Sequence, residues 1–284
     1  MLADKTRLDA YQRALQKAVG PEDCVVDIGT GTGILASYAA KRTKNAVYGI
    51  EYFSTAAAIG QKLAQDSGYS NLIIVNNSSY NRPIEAAPDI LVTETIGPIA
   101  PEENIVELCY EFCRRYPSVK TVIPSTLQLF AQPIYSRQLD GITDNLLGAF
   151  LSASHDSYDF NGVKELLLSE FCREPQFTVL DDAHTAGESS LLVEYQLGVD
   201  KISDFKSSLF IPTASEANAV HLYFYATLFS EIILTNKFSA APTHWRHCYV
   251  KRPPGAEQLD VSYSNKNKKF HIKWRDKHEL ARLD

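Results

Sequence analysis

The sequence predicts an α/β domain built on a parallel sheet, followed by a second domain that is largely β. Up to about residue 124, short apolar runs rich in β-branched residues alternate with helical patterns, which is typical of repeated βαβ units. Beyond that point, strand-like runs separated by turn signals replace the alternation. We therefore place the boundary at Ile123-Pro124-Ser125, with the first domain over 1–124 and the second over 125–284.

The first domain contains a series of apolar segments that are candidate strands, at 24–28, 46–51, 72–76, 89–93 and 119–124. Between them, three segments carry apolar residues at spacings of three and four and are predicted helices, at 34–42, 54–67 and 102–116.

The second domain has its clearest strand runs at 190–197, 220–228 and 270–274. A mostly helical pattern at about 140–171, with an Asp-Phe-Asn-Gly turn in its middle, interrupts these runs. We predict that this segment leaves the β domain as a helical arm. Such an arm is a natural contact between two copies of the chain, so we expect a homodimer.

Composition excludes several classes of partner. The net charge is −6 and the basic residues are scattered, so we expect no nucleic-acid partner. Apolar runs such as 222–234 are well under the roughly 20 residues needed to cross a bilayer, so we expect no membrane association. The five cysteines include no CxxC pair, which suits a reducing cytoplasm. Cys109 and Cys113 form half of a metal site at most, so we expect no metal.

A glycine turn supplies the sharpest functional signal. An apolar strand ends at Asp27 and is followed by a turn with three glycines, at Gly29, Gly31 and Gly33, which opens a helix. Glycine lets the backbone approach a ligand closely at such a turn. Glu51 ends the next strand, where a carboxylate can accept hydrogen bonds from both hydroxyls of a ribose. The pattern predicts a nucleoside pocket.

The glycine spacing favours S-adenosylmethionine over NAD as the cofactor. Dinucleotide binding requires a third glycine where this chain has Ile34. Asp27, two places before the first glycine, would repel a pyrophosphate but would attract a cationic methionine tail.

Two glutamates follow the fourth strand. Glu94 comes at the carboxyl edge of the predicted sheet, where open α/β folds bind their ligands, and Glu103 lies nine residues further on. Taken alone, Glu103 is better explained as a residue of a helix N-terminus, where negative charge is favoured.

These motifs, in this order, resemble the protein arginine methyltransferases over nearly the whole chain. The resemblance rests on the segment Met1–Arg7, the glycine turn with Glu51, the Glu94–Glu103 hairpin and the Thr243-His244-Trp245 loop. It implies a Rossmann-like methyltransferase domain followed by a β-barrel domain. It also implies a contact of Arg7 with the cofactor carboxylate, acceptor binding by Glu94, Glu103 and Trp245, and a pair between Asp4 and His244.

The chemistry of these residues is consistent with that family. A guanidinium has a pKa above about 12, so it is protonated and weakly nucleophilic at neutral pH. The carboxylates of Glu94 and Glu103 can hold it by forked hydrogen bonds and localise its charge away from the attacking nitrogen. Glu94 can also accept the departing proton, and His244 either relays that proton or fixes the N-terminal segment. Against these roles, His244 and Trp245 also suit ordinary packing.

Three departures from the family pattern affect the expectations. The stretch 95–101 lacks the aromatic residues and Met of the family and has two prolines, which reshapes the acceptor pocket. Hydroxyl residues at 78–80, with Ser79 as the candidate, replace the carboxylate expected near the adenine. The family's Tyr-rich first helix is missing from the sequence, so a cofactor cover is either absent or supplied by a second subunit.

Without the resemblance, Asp4 and Arg7 would instead suggest a solvated helix face.

The sequence thus predicts a cytoplasmic S-adenosylmethionine-dependent N-methyltransferase acting on an arginine guanidinium. The acceptor is an arginine-containing protein, or free arginine or another guanidino metabolite, and the number and symmetry of the added methyl groups stay open. Two alternatives remain: a methyltransferase of a different small-molecule hydroxyl or amine, and a non-catalytic scaffold with a methyltransferase fold.

Overall fold

The first half of the chain folds around a parallel sheet. The computed structural model describes residues 2–81, 84–152 and 164–276. The strands of this sheet are β1 (Val25–Ile28), β2 (Val47–Glu51), β3 (Leu72–Asn76), β4 (Ile90–Thr93) and β5 (Thr121–Ile123). The helices of this half are α1 (Lys5–Ala18), α2 (Ile34–Ala40), α3 (Ser54–Asp66) and α4 (Ile105–Arg115). The predicted strands are therefore confirmed to within two residues at each end.

The order of the strands locates the ligand crevice. It is β3-β2-β1-β4-β5, and every neighbouring pair is parallel. The chain runs outward from β1 to β3 and then returns to the other side of β1 with β4. Ligands of open parallel sheets bind at such a reversal, beyond the carboxyl ends of the strands.

The first helix is amphipathic and packs its apolar face into the core. Its buried side chains include Tyr11 and Leu15, and the Tyr11 hydroxyl donates to the backbone carbonyl of Thr93 at 2.9 Å. Asp4 caps the helix by accepting from the Arg7 backbone N–H at 2.9 Å. Asp4 and Arg7 are only 8% and 3% exposed, so the alternative of a solvated helix face is wrong.

The predicted helix over 102–116 is divided in the structure. Residues Pro101–Glu103 form a 3₁₀ turn, and α4 begins only at Ile105. Asn104 between them has a φ of 64°, a left-handed conformation through which an α-helix cannot continue. The 3₁₀ turn therefore directs Glu103 independently of α4.

The second half consists of antiparallel sheets with a helical excursion. Its strands are β6 (Thr126–Tyr135), β7 (Gln176–Thr178), β8 (His184–Thr185), β9 (Ser190–Gln196), β10 (Phe205–Phe210), β11 (Ala219–Phe229), β12 (Ile232–Thr235), β13 (His247–Lys251), β14 (Ala256–Ser264) and β15 (Lys269–Asp276). One sheet has the order β7-β13-β11-β6-β8, with β12 paired to β11 and β9 to β6, and the other has the order β10-β14-β15. The predicted β class of this half is confirmed.

The predicted arm contains two helices, α5 (Arg137–Ser152) and α6 (Lys164–Phe171). The Asp-Phe-Asn-Gly turn at 159–162 lies outside the described residues. Between the two halves, β5 ends at Ile123 and β6 begins at Thr126, and a domain boundary after residue 124 stays a prediction. In the ranges described, no helix is long and apolar enough to cross a membrane.

Candidate active site

The glycine turn after β1 exposes its backbone to the crevice. Gly29, Gly31 and Gly33 have φ angles of 69°, 56° and 81°, a region that side chains with a Cβ avoid. A Cβ at Gly31 would meet nothing within 4 Å, so its backbone faces open space where a ligand can approach. The sequence therefore needs glycine here for conformation and for close approach.

Glu51 at the end of β2 is tied to this turn. Its Oε2 accepts from the Gly31 N–H and its Oε1 from the Phe53 N–H, both at 2.8 Å. The side chain is buried, so these bonds fix the position of the carboxylate. Each oxygen keeps a lone pair, which leaves acceptors for the two hydroxyls of a ribose.

Asp27 presents one acceptor without a partner. Its Oδ2 accepts from the Thr30 hydroxyl at 2.5 Å and from the Ala36 N–H at 3.1 Å. Its Oδ1 is buried and has no hydrogen-bond partner in the described part of the chain. Burial raises the pKa of Asp27 to about 7. A cationic donor at Oδ1 would satisfy this oxygen and favour the ionised form.

Ser79 lies in the turn that follows β3, beside the edge of the sheet that carries Glu51. The Asn77 N–H donates to the Glu51 carbonyl at 3.0 Å and joins the two segments. The backbone carbonyl of Ser79 accepts from Arg115 Nη1 at 2.8 Å. This contact fixes the turn, and the predicted role of the Ser79 hydroxyl towards adenine is untested.

A tight hairpin carries the two candidate acceptor glutamates. Glu94 follows β4 directly, and Glu103 lies in the 3₁₀ turn. Between them, Gly97 and Ala100 exchange two backbone hydrogen bonds of 3.2 and 2.9 Å across a two-residue turn. Glu94 is buried and accepts from Nη1 of Arg7, which comes from α1.

One cavity of about 370 Å³ brings the acceptor residues together. Its lining side chains are Glu94, Ile96, Pro98, Glu103, Phe177, His244, Trp245 and Arg246. The structure thus places four of the predicted site residues around one space, although they come from both halves of the chain.

The two cavity glutamates influence each other electrostatically. Burial raises the pKa of Glu94 to about 7; Arg7 opposes this rise, whereas the nearby charge of Glu103 adds to it. Burial also raises the pKa of Glu103. A second cation between these carboxylates would favour their ionised forms, as a guanidinium requires.

Asp4 and His244 form the predicted pair across the two halves. Asp4 Oδ2 accepts from the backbone N–H of His244 at 2.7 Å and contacts its Nδ1 at 2.8 Å. Burial would raise the pKa of Asp4, but the hydrogen bonds from Arg7 and His244 outweigh it and lower the pKa. Burial lowers the pKa of His244, against the influence of Asp4. The contact therefore fixes the start of α1 against the His244 loop.

Trp245 contacts the backbone of the hairpin through its indole side chain. Its Nε1 donates to the Ile96 carbonyl at 2.8 Å, and its ring packs edge-on against Phe224 with the centroids 5.1 Å apart. The side chain is buried, so packing accounts for much of its environment. Its predicted contact with the acceptor is untested.

Several residues of the site were not predicted. Phe177 on β7 and Arg246 line the cavity, and Asn236 after β12 donates to the Pro98 carbonyl at 2.9 Å. Glu102 is half-buried beneath the hairpin, where burial raises its pKa to about 7. Arg246 is next to Trp245 in the sequence and Glu102 is next to Glu103, and this adjacency is the signal that could have identified them. In the ranges described, no group of His, Cys, Asp or Glu side chains is arranged to hold a metal ion.

Comparisons with known proteins locate this fold. No family model matches the chain. An uncharacterised protein of Methanocaldococcus jannaschii is 27% identical over 212 residues, which cover 68% of this chain and 81% of that protein. Protein arginine N-methyltransferase 1 of Caenorhabditis elegans is 25% identical over 265 residues, which cover 87% of this chain and 72% of that protein.

Solved structures of the same class superpose on nearly the whole chain. The Trypanosoma brucei PRMT1 enzyme-prozyme heterotetrameric complex with AdoHcy gives a TM-score of 0.76 at 20% identity. The match covers 98% of this chain and 93% of that chain. It confirms the predicted fold, in which a Rossmann-like domain precedes a β-barrel domain.

Proposed function

We propose that this chain, a relative of the protein arginine methyltransferases in sequence and in fold, transfers a methyl group from S-adenosylmethionine to a guanidinium nitrogen of arginine. One observation carries the proposal. Glu94 and Glu103 line a single cavity at the carboxyl edge of the parallel sheet, and the charge of Glu103 affects the pKa of Glu94. Two carboxylates that share a cavity are complementary to a planar, delocalised cation.

The residues of the crevice fit S-adenosylmethionine. Glu51 accepts hydrogen bonds from the ribose hydroxyls, and Asp27 Oδ1 accepts a hydrogen bond from the amino group of the methionine tail. Arg7 binds the carboxylate of that tail. The open backbone at Gly31 leaves room for the tail. The bound cofactor supplies an electrophilic methyl group on a sulfonium. In the part of the chain that the structure describes, Asp27 Oδ1 is a buried acceptor without a partner, which supports this assignment because such groups are costly unless a ligand satisfies them.

The glutamates orient the acceptor and take up its proton. Glu94 and Glu103 accept forked hydrogen bonds from the guanidinium and hold its positive charge on the nitrogens that face them. The remaining nitrogen becomes the better nucleophile, and its fixed position lowers the entropic cost of the reaction. Glu94, with a pKa near 7 in the free protein, accepts the departing proton.

His244 and Asp4 support this arrangement from the second half of the chain. The pair fixes the segment that carries Arg7, and Arg7 in turn contacts Glu94. His244 also lines the acceptor cavity, where it can receive the proton from Glu94. The pair therefore has a positioning role and a second, proton-relay role.

An arginine-containing protein is the favoured acceptor. The named relatives are protein arginine methyltransferases, and the net charge of −6 attracts basic segments. Free arginine and other guanidino metabolites carry the same group and remain acceptors to be tested.

The proposal also covers the assembly of the protein and its location in the cell. A homodimer formed through α5 and α6 is favoured because the similar Trypanosoma brucei protein is described as a heterotetrameric complex. A cytoplasmic location is favoured because the five cysteines are free.

Methyl transfer from labelled S-adenosylmethionine to an arginine-rich peptide and to free arginine, assayed side by side, tests the proposal. Glu94→Gln removes one charge and preserves shape, so labelling should fall by at least about 100-fold, as for other groups that stabilise a transition state. Glu107→Gln is the matched control, because Glu107 lies on α4, pairs with Lys268 and is not among the residues lining the cavity.

Labelling of one acceptor that collapses only in Glu94→Gln identifies the substrate class. If neither acceptor is labelled by the wild type although S-adenosylmethionine binds, the proposed methylation of arginine is contradicted and other small-molecule acceptors are tested next. If Glu94→Gln and Glu107→Gln behave alike, Glu94 does not have the proposed role.

A further inference from the structure

Asn236 connects the second half of the chain to the Glu94–Glu103 hairpin. It follows the last residue of β12 and is 2% exposed. Its Nδ2 donates to the Pro98 carbonyl at 2.9 Å, across 138 positions of sequence. Its Oδ1 accepts from the Phe224 N–H of β11 at 2.9 Å. The Nδ2 of this amide therefore bonds to the first half of the chain, and its Oδ1 bonds to the second half.

The bond to β11 determines where the Asn236 amide points. Thr235 pairs with Tyr225, so Asn236 continues the ladder opposite Phe224. There side chains replace the backbone partners of Phe224. Asn236, just after β12, accepts from the Phe224 N–H, and the hydroxyl of Thr235, the last residue of β12, donates to the Phe224 carbonyl. The amide is thus oriented by a rigid strand before it reaches the hairpin.

Trp245 also contacts this hairpin, and like Asn236 it contacts Phe224. Its Nε1 donates to the Ile96 carbonyl, and its ring packs against the ring of Phe224. Ile96 and Pro98 flank Gly97, so two donors anchored on Phe224 hold the two carbonyls on either side of that glycine. Ile96 and Pro98 also line the acceptor cavity.

These side-chain contacts add to the two backbone bonds between Gly97 and Ala100 at the tip of the hairpin. Pro98 has no N–H to donate, and Ala100 adopts a φ of 66°, which costs free energy for a residue other than glycine. The two glutamates lie on either side of this tip. A change in its position therefore alters the separation of their carboxylates.

We infer that Asn236 is a positioning residue for methyl transfer: its amide holds the hairpin so that Glu103 faces Glu94 across the acceptor cavity. The inference rests on the proposed function for its catalytic consequence. The geometry itself, a two-point clamp formed by Asn236 and Trp245, is measurable without turnover.

Asn236→Asp is the discriminating substitution. It keeps the size of the side chain and the acceptor for Phe224, but it replaces the donor to Pro98 with an oxygen that repels the carbonyl. Asn218→Asp is the matched control. Asn218 makes the same kind of double contact, accepting from the Ser136 N–H at 3.1 Å and donating to the Ser136 carbonyl at 2.8 Å, and it is not among the residues lining the acceptor cavity.

Two readouts test the clamp. The first is hydrogen–deuterium exchange of the segment 95–101, which should become at least about tenfold faster in Asn236→Asp and stay unchanged in Asn218→Asp, as expected when a buried hydrogen bond is lost. The second is kinetics with the acceptor that the wild type methylates. There kcat should fall by about tenfold or more while the Kd for S-adenosylmethionine changes less than about twofold, because Asn236 does not contact the glycine turn.

The outcomes separate the inference from the proposed function. Unchanged exchange in Asn236→Asp, or faster exchange with unchanged kcat, overturns the inference. A parallel loss of kcat and cofactor binding, or an equal loss in both variants, also overturns it, because that pattern marks general destabilisation. If the wild type transfers no methyl group, the proposed function is overturned instead. Hydrogen–deuterium exchange of the segment 95–101 then tests by itself whether Asn236 holds the hairpin. With activity present, Asn236→Asp and Trp245→Phe should show a non-additive effect on kcat, since both act on one hairpin.

Discussion

The buried pair of Arg7 and Glu94 joins the proposed cofactor side of the site to the proposed acceptor side. Arg7 lies on α1, which the Asp4–His244 contact fixes, and its guanidinium contacts the carboxylate that is proposed to hold the acceptor. Even with this cation, burial and the charge of Glu103 raise the pKa of Glu94 to about 7. Small electrostatic changes at this position therefore alter how much of the carboxylate is ionised near neutral pH.

The dependence of kcat/KM on pH follows from that pKa, because this ratio reports the ionisation of the free enzyme. Glu94 must be ionised to hold the guanidinium in the proposed reaction, so kcat/KM should rise with pH through about 7 in the wild type. Glu103→Gln removes a charge that raises the pKa of Glu94, so the midpoint should move to lower pH while the maximum kcat/KM also falls. Both profiles are measured at acceptor concentrations well below KM. A midpoint that stays in place or moves to higher pH would contradict the electrostatic coupling of the two carboxylates.

The candidate site residues could be proposed from the sequence, and so could the Asp4–His244 pair, but other contacts between distant segments could not. Asp27 and Glu51 lie near the ends of strands, and Glu94 and Glu103 lie in the segment after a strand, all of which are visible in the sequence. The contact of Asn236 with Pro98 spans 138 positions, and no local pattern marks either residue. A polar residue acquires such a partner only when two distant segments pack, which depends on the tertiary fold and not on spacing.

At the scale of elements, the hairpin from Glu94 to Glu103 is the least regular part of the site. A Cβ at Gly97 would lie 2.1 Å from Glu102 Cγ, so the side chain of Glu102 occupies the space that any larger residue would need. Glu102 also accepts from the Ile99 N–H at 3.4 Å. The absent side chain at Gly97 therefore allows Glu102 to support the turn from below.

Gly97→Ala should displace Glu102 and loosen the turn. We expect kcat to fall by about tenfold and Tm by a few degrees, a cost of the size usual for overpacking. Gly141→Ala on α5 is the control, because a Cβ there meets nothing within 4 Å and alanine favours a helix. Kinetics and thermal unfolding of the two variants test this. Unchanged kcat in Gly97→Ala would show that Glu102 does not support the site.

The regular elements followed from periodicity, whereas the 3₁₀ turn before α4 did not. The parallel strands were predicted to within two residues because each is a short apolar run bounded by turns. The helix predicted over 102–116 failed at Asn104, whose left-handed φ of 64° ends the 3₁₀ turn and precedes α4. That conformation serves the hairpin, and asparagine is one of the few residues that adopt it at low cost. An irregular conformation of this kind leaves no periodic pattern of apolar residues in the sequence.

At the scale of the whole molecule, the arm is anchored at both of its described ends. On α5, Asp140 pairs with Lys251 of β13, and just after α6 the Cys172 carbonyl accepts from Trp274 Nε1 at 3.0 Å. Leu166 on α6 nevertheless remains 60% exposed. Leu166 is therefore an accessible position at which the proposed contact of the arm with another subunit can be tested.

The proposed dimer predicts a mass in solution near 63 kDa, twice the 31.7 kDa of one chain. Leu166→Glu should convert it to the monomer and reduce methyl transfer, because a charge in an apolar interface is poorly tolerated. Ile233→Glu on β12, at 52% exposure, makes the same change away from the arm and should leave mass and activity unaltered. Light scattering after gel filtration, with activity measured on the same fractions, decides the point. A wild-type monomer with full activity would exclude the dimer as a requirement, and the site would then be complete within one chain.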